Sequence, residues 1–309
     1  MTSRPIKTFR ILIIILLLVS LGLTVTYLIT NPESKTLDDQ ARLGTSGEYI
    51  SLSQGITHYE MTGPDSAETV VLVHGFSVPA YIWDSTFYAL VKVGFRVVRY
   101  DTYGRGYSDR LDVDYDEGVY DRQLMDLVEV LHLKPPFHLV GLSFGGPVTS
   151  YFTAHHPELI KTLSLVDPAV RPFEKSAIPE FIARYFFTVT FTSSGRANQA
   201  GDFLHPETFP GWNDKYEVQM QYKGFLRSLV STVFNYRADP AESFKTIAQN
   251  RTPVLLIWGK QDPIVPFADS TIPIGIMNPK FVAVEESGHL PQMEQPDVVM
   301  GALLEFLRK

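Results

Sequence analysis

The 309-residue chain contains no cysteine. That removes disulfides, thiol nucleophiles and thiolate metal sites, and it leaves the redox compartment open. Cationic excess is missing too: 27 Lys and Arg stand against 34 Asp and Glu, a net charge of −7. This argues against nucleic acid as a partner, because phosphate binding needs a basic surface. Internal repeats and low-complexity tracts are absent. No His/Asp/Glu spacing resembles a metal site. Gly104-Arg-Gly106 is no dinucleotide fingerprint, since Asp109 stands where its third glycine belongs. No cofactor is therefore expected. The chain does have a globular composition, 45% hydrophobic and 20% charged, sufficient for a full core.

One long uncharged apolar run is present, residues 11–30. About 20 such residues at 1.5 Å rise span the roughly 30 Å hydrocarbon core of a bilayer. Arg4, Lys7 and Arg10 precede it, and Glu33, Lys35, Asp38 and Asp39 follow. The expectation is a single-pass signal anchor over residues 1–30, N-terminus cytoplasmic and the body on the far side. The competing reading is a cleaved signal peptide and a secreted body. Its only small-residue cleavage candidate, Ser20-Leu-Gly22, falls inside the apolar run. Residues 31–46 are polar and aperiodic, a linker.

Beyond the linker, short apolar runs alternate with helical patterns. Strands are expected at 48–52, 56–61, 69–73, 95–100, 137–140, 162–166, 253–258 and 281–285. Helices are expected at 81–93, 120–133, 144–156, from about 268 until Pro273, and at 296–307. Continuous apolar strands alternating with helices predict an α/β fold, a mostly parallel sheet with right-handed crossovers and flanking helices. The alternation breaks after Pro168. Residues 169–249 are too long for a plain loop and carry helical patterns at 178–189 and 222–234, so they read as a helical cap inserted between core segments 47–168 and 250–309.

The chemistry is concentrated between Phe137 and Val148, Phe-His-Leu-Val-Gly-Leu-Ser-Phe-Gly-Gly-Pro-Val. A strand ends here and a helix begins, with Ser143 on the turn, two residues from both Gly141 and Gly145. Small neighbours relieve the crowding of so tight a turn, and the helix N-terminus favours negative charge at the hydroxyl. His74, Asp101, Asp167, Asp262 and His289 also fall at strand ends, the edge where open parallel sheets gather reactive groups. The order Ser143, Asp262, His289 supplies a hydroxyl, an orienting carboxylate and a base.

Four motifs carry a family resemblance from about Glu48 to Lys309: His74-Gly75, Asp101-Thr-Tyr-Gly104-Arg-Gly106-Tyr-Ser108, the Gly141–Gly145 elbow, and Ser287-Gly288-His289. With them the chain resembles an α/β-hydrolase-fold serine hydrolase. The anchor and compact cap resemble membrane-bound monoacylglycerol lipases; among soluble members, ring-cleavage-product hydrolases and small esterases are most similar. The resemblance implies Ser143 as nucleophile, His289 as general base, Asp262 as its acid and the backbone N–H groups of Phe76 and Phe144 as oxyanion hole. Asp167 is the alternative acid. Asp101 and His74 read as structural, and His155-His156 as helix-end residues. The implied activity is ester hydrolysis of an apolar, monoacylglycerol-like small molecule. A carbon–carbon-bond hydrolase is the nearest alternative, and a ligand-binding module without catalysis a remoter one. Asn250-Arg-Thr252 forms a glycosylation sequon on the outer side.

Overall fold

Where apolar residues run without interruption, the chain forms strands covered on both faces. The computed structural model describes residues 4–308; the first three residues of the expected anchor and Lys309 lie outside the described residues. A long helix, α1 (Arg4–Thr30), and a short one, α2 (Asp39–Arg42), precede the hairpin of β1 (Glu48–Ser51) and β2 (Ile56–Thr62). Then follow β3 (Thr69–Val73), α3 (Asp84–Lys92), β4 (Arg96–Tyr100), α4 (Glu117–Val130), β5 (Phe137–Leu142), α5 (Gly145–His155) and β6 (Ile160–Val166). The inserted segment contributes α6 (Glu180–Asn198), α7 (Trp212–Met220), α8 (Phe225–Asn235) and α9 (Pro240–Asn250). The chain closes with β7 (Val254–Gly259), α10 (Thr271–Met277), β8 (Lys280–Val284), α11 (Pro291–Glu294) and α12 (Pro296–Leu307).

The eight strands form one sheet in the order β1-β2-β4-β3-β5-β6-β7-β8. β1 and β2 pair antiparallel, β2 joins β4 antiparallel, and every pairing from β4 to β8 is parallel. The α/β expectation is met. Two apolar layers flank the sheet, one around Phe137, Phe152 and Trp258, the other around Trp83, Phe225 and Leu303.

Several boundaries differ for identifiable reasons. α4 starts at Glu117 because the Asp116 carboxylate accepts the Val119 N–H and caps it. Pro273 does not interrupt its helix. It is the third residue of α10, where an N–H has no intrahelical acceptor to lose. α7 and α9 were not anticipated. α9 packs on α5 and α10 of the core rather than among the cap helices, burying Phe244 and Ile247. The segment 31–46 is docked, not free. Ser34 and Lys35 N–H groups donate to the Gln221 carbonyl, Lys223 N–H donates to the Lys35 carbonyl, and Glu33 accepts the Leu226 N–H at 2.7 Å. Thr8–Thr30 of α1, mean hydropathy 2.7, is long and apolar enough to cross a membrane.

Candidate active site

The parallel strands deliver their reactive residues to one edge. Ser143 follows β5 in the left-handed region, φ 52°, a strained conformation for a serine. The flanking glycines are required by close approach. A Cβ on Gly141 would collide with the Gly145 carbonyl and the Thr149 hydroxyl, and one on Gly145 with the carbonyls of Val73 and His74. Ser143 N–H is tied to the Val166 carbonyl at 2.9 Å, and its own carbonyl accepts the N–H groups of Gly146 and Ala169. The serine is thus fixed from both neighbouring elements.

His289 follows β8, with Nδ1 2.8 Å from Asp262 Oδ2. Asp262, on the loop after β7, is fully occupied: its Oδ1 accepts the N–H groups of Ile264 and Val265 at 2.7 and 2.9 Å. With that oxygen committed, Oδ2 faces the ring and holds the proton on Nδ1, leaving Nε2 free to accept one. The backbone of His289 is pinned through its N–H to the Asp202 carbonyl at 2.8 Å. Gly288 N–H donates to Glu294 at 2.7 Å, which fixes the preceding turn.

Ser143 and His289 line one cavity of about 190 Å³, closed by Gly75, Phe76 and Leu142 below and by Phe191, Gln199 and Asp202 of the cap above. Among the described residues neither Phe76 N–H nor Phe144 N–H finds a protein acceptor, so both are available to an oxyanion. His74 braces this loop. Its Nδ1 bonds the Gly75 carbonyl at 2.8 Å, and its Nε2 accepts the Thr102 N–H at 2.9 Å. Complete burial pushes its pKa down to about 4, so the ring is neutral at pH 7 and serves as a spacer, not a base.

Asp167, at the end of β6, is the second carboxyl here. Its Oδ1 accepts the Gly259 N–H at 2.9 Å, and one ligand atom each of Asp167, Asp262 and His289 lie within 4.8 Å of one another. Burial, and next the charge on Asp262, push the Asp167 pKa well up. Its Oδ2 finds no protein partner among the described residues, and the raised pKa favours a proton on this carboxyl. The three residues could surround a cation, but Asp262 is already engaged by two backbone N–H groups and the imidazole, and Asp167 Oδ1 by the Gly259 N–H.

Asp101, at the end of β4, accepts the N–H groups of Ala80 and Tyr107 and pairs with His58 Nδ1 at 2.7 Å. Burial alone would raise its pKa, but the charged His58 overrides that and holds it low. His155 and His156 bond the Tyr151 carbonyl and the Asp121 carboxylate. A larger cavity, about 410 Å³, lies behind the loop that carries Phe76. Its charges are internally paired, Arg99 with Glu60 and Asp84, Lys215 with Asp84, and His58 with Asp101. Two polar groups over Ser143 escaped the sequence: Gln199, whose buried Oε1 has no protein partner, and Asp202, whose pKa burial raises to about 6 against the pull of His289. Nothing in the spacing of Gln-Ala-Gly-Asp announces them.

A twisted parallel sheet with a strained serine at its carboxyl edge, under an inserted helical cap, is the architecture of a hydrolase. The chain belongs to the alpha/beta hydrolase family, whose model matches residues 70–302. It is 27% identical over 292 residues to the monoacylglycerol lipase ABHD6 of Bos taurus, covering 86% of this chain and 83% of the relative. A non-heme chloroperoxidase of Burkholderia pyrrocinia is 26% identical over 238 residues, covering 69% and 81%. Among solved structures, an enol-lactonase from Burkholderia xenovorans superposes with a TM-score of 0.73 at 21% identity, covering 85% of this chain and 100% of the other. The protein is thus a hydrolase-family enzyme. Relatives with different chemistries share its fold, so the substrate has to be argued from the site.

Proposed function

We propose that the protein is a membrane-anchored serine hydrolase that cleaves the carboxylic ester of an apolar acyl substrate of monoacylglycerol type. The observation that carries this reading is the shared cavity: Ser143 and the Asp262-oriented His289 line it together, beside two unengaged N–H groups. Ser143 Oγ attacks the ester carbonyl while His289 Nε2 takes its proton. The Phe76 and Phe144 N–H groups stabilise the oxyanion, an effect worth about 2.7–4 kcal/mol per donor in related sites. His289 then gives the proton to the departing alcohol, leaving an acyl ester on Ser143. A water molecule deprotonated by His289 attacks that ester and releases the acid and the free serine.

Gln199 and Asp202 support a hydroxyl-rich leaving group, and Phe191 and Leu290 an apolar acyl part, in the same cavity. Thr8–Thr30 supports the anchor, with Arg4, Lys7 and Arg10 keeping the N-terminus cytoplasmic and the enzyme body on the opposite face. A fluorophosphonate probe is expected to label the wild-type chain and not Ser143→Ala. A Ser143→Ala chain that still labels would refute the nucleophile. Turnover of medium-chain monoacylglycerols is expected to exceed that of vinylogous diketones; the reverse preference would replace ester by carbon–carbon hydrolysis.

A further inference from the structure

The first cap helix leaves large apolar residues uncovered. Phe181 is 68% exposed, Phe186 56% and, just ahead of the helix, Ile178 45%. Phe181 lies one turn before Tyr185, and Phe186 flanks Tyr185. Tyr185 faces the N-terminal helix. Its ring stacks on Tyr27, centroids 6.1 Å apart, and its hydroxyl donates to the Leu23 carbonyl at 3.1 Å. The segment leaving α1 is hydrogen-bonded to the cap at Gln221, Lys223 and Leu226, so cap and anchor form a connected unit.

These contacts set a depth. The 23 residues of Thr8–Thr30 rise about 35 Å, some 5 Å more than a hydrocarbon core. Leu23 sits seven residues below Thr30, about 10 Å down the helix and therefore roughly 5–10 Å beneath the acyl boundary, according to how much of the excess lies at this end. A helix lying in an interface buries its apolar face to about that depth. Tyr185 marks the aromatic belt, and exposed Arg184 beside it suits lipid phosphate. The same helix carries Phe191, which lines the Ser143 cavity.

We propose that α6 is seated in the outer-leaflet interface of the bilayer that α1 spans, with Phe181 and Phe186 among the acyl chains, so that lipid substrate passes from the leaflet along this helix to Ser143. The proposal rests on the anchor and ester-hydrolase reading above, and deepens it by naming the membrane as the source of substrate.

The test uses the full chain in phosphatidylcholine vesicles, with Phe181→Trp or Phe186→Trp as reporter. The native tryptophans are buried and give a constant background. Vesicles brominated on the acyl chains are expected to quench either reporter about twofold, and to leave unquenched a Val298→Trp reporter on α12. Reporters at 181 and 186 that stay bright in a chain that floats with the vesicles would overturn the docking while sparing the anchor; a chain that does not float would overturn both. Phe181→Asp with Phe186→Asp is expected to slow hydrolysis of vesicle-borne monoacylglycerol about tenfold and leave a soluble short-chain ester unaffected. Equal slowing on both substrates would overturn delivery from the leaflet. If neither substrate is turned over even by the parent chain, the hydrolase reading fails, and quenching alone decides the docking.

Discussion

Asp262 and Asp167 lie side by side beneath His289, and replacing each by asparagine separates their roles. In Asp262→Asn, the N–H groups of Ile264 and Val265 demand an acceptor and so hold the amide oxygen in place of Oδ1. The amide nitrogen then occupies the position 2.8 Å from His289 Nδ1 and donates to it. Nδ1 becomes an acceptor, and the proton moves to Nε2, the atom that takes the Ser143 proton in the proposed mechanism. A wrong tautomer of this kind costs about 10⁴-fold in kcat, which is about 5.4 kcal/mol at 1.36 kcal/mol per decade. In Asp167→Asn, the amide oxygen accepts the Gly259 N–H as Oδ1 does, and the amide nitrogen takes the place of the protonated Oδ2. The expected loss is less than about tenfold, since no buried partner is left unsatisfied. Initial rates on a soluble chromogenic ester, with thermal melts as a control for folding, measure both. Collapse of Asp167→Asn with near-normal Asp262→Asn would refute this assignment and make Asp167 the acid.

Further expectations concern the frame around the site. Gly141→Ala drives a Cβ into the Gly145 carbonyl and should cost about 1–3 kcal/mol in urea unfolding as well as activity; a neutral substitution would contradict the tight elbow. His58 Nδ1 and Nε2 face the Asp101 carboxylate and the Ser46 carbonyl, both acceptors, so the ring carries two protons. Burial opposes that charge, but Asp101 prevails and the His58 pKa is raised. Its contribution is complete below the unfolded value of about 6.5 and fades as pH rises through the higher folded value. The lowered pKa of Asp101 makes its share complete above about 3.9 and lost as pH falls further. His58→Gln should therefore destabilise most near pH 5–6, by about 3 kcal/mol, and less at pH 9. Melting temperatures across that range check it, and a pH-independent difference would refute the charged pair.

Strands 69–73 and 296–307 as a helix were legible because period and length are local properties of the chain. Helices α7 and α9 are signalled in the sequence only in part. Trp212, Tyr216 and Met220 recur every fourth residue, and Asp239-Pro240 is a cap followed by a proline at the first helical position, with the Asp239 carboxylate accepting the Ala241 N–H. Boundaries such as Glu117 and the fate of Pro273 depended on which N–H groups found acceptors, a matter of a single hydrogen bond.

The sequence by itself determined the sheet, its carboxyl edge and the residues gathered there, because apolar periodicity and the glycine demands of a tight turn act within a few positions of Ser143. It could not decide which of two buried carboxylates meets His289. That choice follows from the loop after β7, where two backbone N–H groups turn Asp262 towards the ring while Gly259 holds Asp167 aside. Nor could it reveal Gln199 and Asp202 above the serine, the docking of residues 33–35 on the cap, or Tyr185 against Leu23. Those are contacts between distant segments, and only packing in three dimensions brings their partners within bonding range.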